Sequence, residues 1–210
     1  LFQPMNLIPP NNKIRHRSPQ PYQQKVLLLL TAGIGLRLIL ATLPGYPGDQ
    51  EIFLFWSRQI VLGGFPSVYS LTLPAVNYSP VVMSVLALIG SWYRAVISPD
   101  MSVAHLGQFT LAVKLVFGSF EIITALVAYR FITSRLDKRH ALLVLSGLAL
   151  NPVLFLNSSY WGLLDSLHTL WVILGLVTVS RTHYGRGWSF LALAALSKPP
   201  ALALIPLALL

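Results

Sequence analysis

Asp49 and Glu51 follow directly on a Pro/Gly cluster in the stretch PGYPGDQEIFLFW, and they are two of only six acidic residues in a chain of 210. A third, Asp165, stands in YWGLLDS. Carboxylates placed like this have two uses. Asp is a preferred helix N-cap and a first-turn Glu suits the helix dipole, whereas an exposed ionised carboxylate can also accept a proton from a reacting group. The cations Arg58, Arg94, Lys114, His168 and Lys198 are candidate partners for phosphate, although such side chains near membrane ends commonly only snorkel. Lys114 and Glu121 are seven residues apart inside an apolar run, on one helix face but beyond i,i+4 pairing, so both must face protein or water rather than lipid. Lys198 sits ten residues into another apolar run and is followed by two prolines. Intramembrane charge next to broken backbone points to a lined cavity. The chain has no Gly-rich phosphate loop, no His-Glu-x-x-His helix and no Gly-x-Ser-x-Gly elbow.

The elements that must position these residues belong to a membrane protein. Hydrophobic residues make up 55% of the chain and charged residues 10%, against about 25% charged in an ordinary soluble domain. The net charge of +9 comes from short basic clusters between apolar runs, not from one basic face of a folded domain, which argues against nucleic acid as a partner. With no cysteine there is no disulfide, thiolate metal site or thiol nucleophile. The chain starts at Leu1 and stops within an apolar run, and is expected to be the N-terminal part of a longer protein.

Residues 1–25 read as a basic, disordered cytoplasmic tail with Lys13, Arg15, His16 and Arg17. Spans are expected near 26–43, 109–133, 141–157, 166–180 and 188–210, the first about 27 Å long. Arg37, in the last third of the first span, is expected to snorkel to the far side. Between the first two spans, 44–108 forms a long loop with helices near 50–62 and 81–97. In the first of these Ile52, Phe53, Trp56 and Ile60 share a face, which suits a helix at the membrane interface, with Asp49 as its N-cap. Asp165 is expected to cap the helix after it, with Tyr160 and Trp161 in an interfacial aromatic belt. The fold class is therefore all-α, a polytopic helix bundle with juxtamembrane helices in its first external loop.

Charge placement decides between two topologies. If Val81–Ile97 spans, the basic turn 134–140 falls outside. If it does not, the tail and the basic turns 134–140 and 181–186 all lie in the cytoplasm, and the loops of Asp49 and Asp165 face outward together. The second arrangement puts every basic cluster on one side and is the one expected.

GDQEIFLFW, Tyr69 and the closing Tyr78-Ser79-Pro80 resemble the first external loop of the GT-C class of integral-membrane glycosyltransferases. They are most similar to the glucosyltransferases that extend the dolichol-linked oligosaccharide, with Gly48, Asp49, Glu51, Trp56, Tyr78 and Pro80 at matching positions and Ser79 where that loop has a first Pro. NPVLFLNSSYWGLLDS, Asn151 to Ser166, is similar to the Asn-Pro…Trp-Gly-Gln-x-Asp segment of bacterial members, with Leu163 in place of Gln. The resemblance covers roughly residues 26–210. It implies that Asp49 is catalytic, with Glu51 and Asp165 in support. It also implies a polyprenyl-phosphate-linked sugar as donor, a lipid- or protein-linked acceptor, and transfer on the extracytoplasmic side. The likeness to bacterial members makes a plasma membrane the expected location, ahead of the endoplasmic reticulum.

The chemistry asked of these residues is simple. A hydroxyl attacking an anomeric carbon needs a general base, which Asp49 can supply. A departing lipid phosphate needs stabilisation as charge builds on its oxygens, and Arg58, Lys114, His168 and Lys198 are the candidates for that and for lining the cavity. Trp56, Tyr78, Pro80, Tyr160 and Trp161 are expected to shape the loops. No organic cofactor or protein metal site is expected, and a divalent metal is compatible with the scheme. A transporter or lipid flippase is the rival class, since it would also use intramembrane Lys and Glu and broken helices; it predicts inverted repeats, and no repeat at a fixed period is present. A noncatalytic membrane scaffold would leave Asp49 and Asp165 freely replaceable.

Overall fold

The computed structural model of the chain describes residues 21–72, 74–198, 200 and 203. The tail up to residue 20, and the expected last span beyond residue 198 apart from 200 and 203, lie outside the described residues. What is described is helical: α1 (Pro21–Ala41), α2 (Pro47–Gly63), α3 (Phe65–Tyr69), α4 (Pro80–Val96), α5 (Leu106–Arg135), α6 (Lys138–Ala149), α7 (Pro152–Phe155), α8 (Ser166–Val179) and α9 (Tyr184–Ala195). Pro47, Pro80 and Pro152 each occupy the first position of a helix, where the missing N–H costs nothing and φ is already helical.

Among the described residues three helical stretches are long and apolar enough to cross a membrane: Tyr22–Ala41, Val103–Arg135 and Lys138–Trp161. Their surface is inverted relative to a protein folded in water. Leu27, Leu28, Leu38 and Ile39 of α1 are 51–69% exposed, while Arg37, Lys114 and Glu121 are 5%, 1% and 6% exposed. Apolar flanks around a charged interior mark a membrane protein. By contrast α8, with 14 residues, is only about 21 Å long, short of a hydrocarbon core of about 30 Å.

The bundle is built on α5, which packs against α1, α2, α4, α6 and α8. Helices α8 and α9 form an antiparallel hairpin, close enough that a Cβ on Gly175 would stand 2.7 Å from Leu191 Cγ. Helices α2 and α4 lie together over the first half of α5, sharing a core of Phe53, Trp56, Leu86, Ile89, Tyr93, Phe109 and Phe117. A Cβ on Gly90 would overlap Ser57 Oγ, so this glycine sets the α2–α4 distance, and Ser57 Oγ donates to the Leu86 carbonyl at 2.8 Å across it.

The two ends of the bundle differ in charge. At one end Arg135 donates to the Ser180 carbonyl at 2.8 Å, Arg135 and Arg181 both lie over Phe131, and Lys138 lies over Tyr22. The start of α1 and the two basic turns therefore meet. Helix α4 is fixed at the opposite end from both its termini, with the Val81 N–H donating to the Leu196 carbonyl and Tyr93 edge-on to Phe109.

One expectation needs correction and another needs refinement. Arg37 does not snorkel. Its Nε donates to Glu121 Oε2 at 3.0 Å, with Nη2 at 2.9 Å from the same oxygen, and Nη1 donates to the carbonyls of Ala149 at 2.6 Å and Gly33 at 3.1 Å. A buried carboxylate and two carbonyls hold it better than a stretch toward distant water would. The span expected near 141–157 falls within the stretch Lys138–Trp161, and the helix is interrupted inside it at Asn151, whose side chain accepts from the Val153 N–H at 2.9 Å. Pro152 cannot continue α6, because it lacks an N–H and its ring would clash with the preceding turn. A π-helical turn, Leu156–Trp161, follows.

Candidate functional site

The start of α2 is bolted to the end of the π-helical turn. Tyr46 is the N-cap residue of α2 and Pro47 its first helical residue, so Asp49 is the third. The expectation that Asp49 is the N-cap is thus wrong by three positions, because the proline claims the start of the helix. Freed from capping, Asp49 accepts a hydrogen bond through Oδ2 from Trp161 Nε1 at 2.8 Å. The Tyr46 ring lies 5.5 Å from the Trp161 ring. Beside Asp49, the buried Gln50 donates from Nε2 to the carbonyls of Trp161 at 3.1 Å and Gly162 at 3.2 Å. Gly162 has φ of 88°, and a Cβ there would approach Gln50 Nε2 to 2.5 Å. Only glycine meets both conditions cheaply. Two segments 112 residues apart in sequence are locked side by side.

The turn then delivers Asp165. It stands at the N-cap position of α8, as expected, but its side chain makes no capping hydrogen bond. Its Oδ1 instead accepts from Lys198 Nζ at 2.6 Å, and its backbone carbonyl is 2.7 Å from His168 Nδ1. A carbonyl only accepts, so His168 carries its proton on Nδ1 in that contact and leaves Nε2 available. Lys198 thus pairs with Asp165, while Glu121 belongs to Arg37. The helix α9 ends at Ala195, and the chain turns so that the Lys198 N–H donates to the Ala194 carbonyl. Lys198 Nζ also lies 5.7 Å from the centroid of the Tyr78 ring. Burial, then the nearby Asp165 and Asp49 carboxylates, push the Tyr78 hydroxyl above its ordinary pKa. Both carboxylates are thus felt at one phenol, and that phenol remains a hydrogen-bond donor at neutral pH.

The remaining sequence candidates divide by place. Trp56 is buried and its Nε1 donates to the Pro74 carbonyl at 3.1 Å, with Tyr78 edge-on to it; Pro80 starts α4. These are loop-shaping contacts. Tyr160 is exposed by 40%. Glu51, Arg58 and Arg94 are exposed, and Arg58 lies near Asp100, whose carboxyl is held below its usual range first by the Ser98 hydroxyl. None of the three shares in the contacts around Asp49. Lys114 is buried beneath the Leu43–Gly45 turn and donates to the Leu43 carbonyl. Sequence reasoning missed Tyr46, Gln50, Gly162 and the anchoring of Arg37. For Gln50 a signal existed, a polar residue between Asp49 and an apolar face, but its partners are backbone carbonyls of a distant turn.

What the arrangement offers chemically is one carboxylate, Asp49, with one oxygen fixed by an indole N–H and the other unassigned. Around it are a phenol donor, an Asp–Lys pair that is roughly one-third exposed, and an imidazole with a free nitrogen. Among the described residues no three His, Asp or Glu side chains converge as a metal site requires. No protein-family model, curated protein sequence or solved structure matches the chain.

Proposed function

We propose that this protein is a membrane glycosyltransferase that moves a hexose from a polyprenyl-phosphate donor to an acceptor hydroxyl. The observation that carries the proposal is the docking of GDQ on the YWG turn, which gathers Asp49, Tyr78, Asp165, His168 and Lys198 at the end of the bundle away from the basic turns. With the basic turns in the cytoplasm, this cluster faces outward, and α4 stays on the outer side without spanning. Asp49 accepts the proton of the acceptor hydroxyl as its oxygen bonds to the anomeric carbon. The bond from that carbon to the phosphate oxygen breaks in the same step, and the lipid phosphate leaves with the electron pair, its charge met by Lys198. One displacement of this kind inverts the anomeric centre. The apolar groove of about 650 Å³ between α4 and α5, lined by Leu88, Trp92, Leu111 and Leu115, has the volume and the apolar walls to take part of an isoprenoid chain.

The test is transfer of a radiolabelled hexose by the full-length protein in proteoliposomes, supplied either as polyprenyl-phosphate sugar or as nucleotide sugar. Transfer from the lipid donor alone supports the proposal. Use of the nucleotide sugar alone, or of neither across a panel of lipid donors and acceptors, contradicts it.

A further inference from the structure

The end of the bundle that carries the basic turns holds two guanidiniums side by side. Arg135, the last residue of α5, donates from Nη2 to the Ser180 carbonyl at 2.8 Å. Arg181, two residues past α8, donates from Nη2 to Ser134 Oγ at 3.3 Å. Each arginine thus reaches the residue just before the other, and both lie over the Phe131 ring, 5.7 and 5.8 Å from its centroid. Arg181 comes from a closed turn: the Thr182 N–H donates to the Val179 carbonyl at 2.8 Å and the His183 N–H to the Thr178 carbonyl at 3.1 Å, the pattern of a Schellman turn.

Neither cation is neutralised. The ion pairs among the described residues are Arg37–Glu121, His140–Asp137 and Lys198–Asp165. Asp137, the acid nearest in sequence to Arg135, is taken up by His140, whose backbone N–H and Nδ1 lie 2.9 and 2.8 Å from Oδ1. A guanidinium has five N–H donors. Arg135 and Arg181 spend one hydrogen bond each within the described residues, on a neutral oxygen, and both side chains are exposed. The unused donors of the pair are therefore presented at the surface.

Depth in the bilayer follows from Tyr22. Lys138, three residues after Arg135, lies 5.3 Å from the centroid of that ring. Four residues on from Tyr22 the apolar run of α1 begins, and its Leu27 and Leu28 are 66% and 69% exposed. The end of α5 is thus level with the headgroups of the bilayer that those leucines meet. Leu136, next to Arg135, and Tyr184, three residues after Arg181, are also exposed, and an apolar and an amphipathic side chain beside the cations suit a lipid interface better than a soluble anion.

We propose that Arg135 and Arg181 form a clamp for the phosphodiester of an anionic membrane phospholipid. Both guanidiniums donate to phosphate oxygens, and Leu136 and Tyr184 face the acyl boundary beneath the headgroup. The site rests on the membrane placement of α1 and α5 and is independent of sugar transfer.

The experiment uses the full-length protein purified in detergent, with native mass spectrometry reading retention of dioleoyl phosphatidylglycerol against dioleoyl phosphatidylcholine, whose own ammonium offsets its phosphate. Wild type should favour phosphatidylglycerol by roughly tenfold, the scale of two cations at a headgroup. Arg135→Gln with Arg181→Gln should bring the ratio close to one. Arg139→Gln, which removes an exposed cation of the same basic turn outside the pair, should leave the ratio close to that of wild type. All three side chains are exposed, so the fold is retained in these variants. Absence of a preference in wild type overturns the proposal, as does a preference that survives the double substitution. So does an equal loss in Arg139→Gln, which would make the attraction one of net charge, or a preference that inorganic phosphate competes away, which would assign the pair to a soluble anion.

Discussion

Arg37→Met should be among the most destabilising single substitutions in the chain. Arg37 and Glu121 are each about 5% exposed as side chains, so the change strands a carboxylate inside the bundle. It also removes the donor that holds the Ala149 and Gly33 carbonyls, which ties the end of α6 to the middle of α1. Breaking a buried pair from one side costs about 3–5 kcal/mol, because the survivor keeps its desolvation penalty. Glu121→Gln is milder, about 1–3 kcal/mol, since Arg37 retains two carbonyl acceptors and an amide oxygen can take the place of the carboxylate. The double variant Arg37→Met with Glu121→Gln should therefore be more stable than the sum of the singles implies, by at least about 1 kcal/mol. Equilibrium unfolding of the four proteins in one detergent, followed by intrinsic tryptophan fluorescence, measures that coupling. Additive effects would refute the pairing and return Arg37 to a snorkelling role.

Lys198→Leu should cost the fold less than about 1 kcal/mol, because the Asp165–Lys198 pair is partly exposed, yet lower sugar transfer by roughly 10²-fold; equal losses in folding and transfer would contradict the split. Gly162→Ala should destabilise by about 1–2 kcal/mol, because φ there is 88°, and Gln50→Ala should relieve part of that loss by removing the clash. An unchanged unfolding midpoint would contradict the bolt between α2 and the π-helical turn. Single cysteines at Ser91 and Ser134, both exposed in a chain with none of its own, should label from opposite sides, residue 91 from outside and residue 134 only after permeabilisation. Reversed labelling would turn the proposed site to the cytoplasm.

The helices were legible because their cues are local. Apolar runs separated by Pro, Gly and basic turns place α1, α2, α4 and α5 within a few residues of expectation, and the basic turns that charge counting grouped together do touch. The ion pairs were not legible. Arg37 and Glu121 are 84 residues apart and Asp165 and Lys198 are 33 apart, on or beside different helices, and sequence spacing gives no rule for choosing among the interior and loop cations and the few acids. The start of α2 was misplaced although Pro47 signals a first helical position, because Asp49 offered an equally familiar cap. The break at Asn151 had its own local signal in Asn-Pro, which the long apolar run outweighed.

Within the cluster, Asp49 was singled out by its place after Pro-Gly, while what holds it there was hidden. Trp161 was expected as a belt aromatic, and its N–H turns inward to the Asp49 carboxylate. A tryptophan 43% exposed satisfies both descriptions, and nothing in the local sequence distinguishes them. Gln50 was hidden for the related reason that its partners are backbone carbonyls, which every residue possesses.

The central claim is that Asp49 is the proton acceptor in sugar transfer, and Asp49→Asn tests it most directly. Asparagine fits the third helical position, and its side-chain oxygen can still accept the Trp161 N–H, so shape and docking are preserved while the base is removed. Trp161→Phe, as a companion, removes the hydrogen bond and leaves the carboxylate. Transfer from a polyprenyl-phosphate hexose by the full-length protein should fall by roughly 10²–10⁴-fold in Asp49→Asn and by much less in Trp161→Phe, with wild-type unfolding midpoints in the first. Near-wild-type turnover by Asp49→Asn would contradict the account and leave Asp49 as a structural acceptor for Trp161.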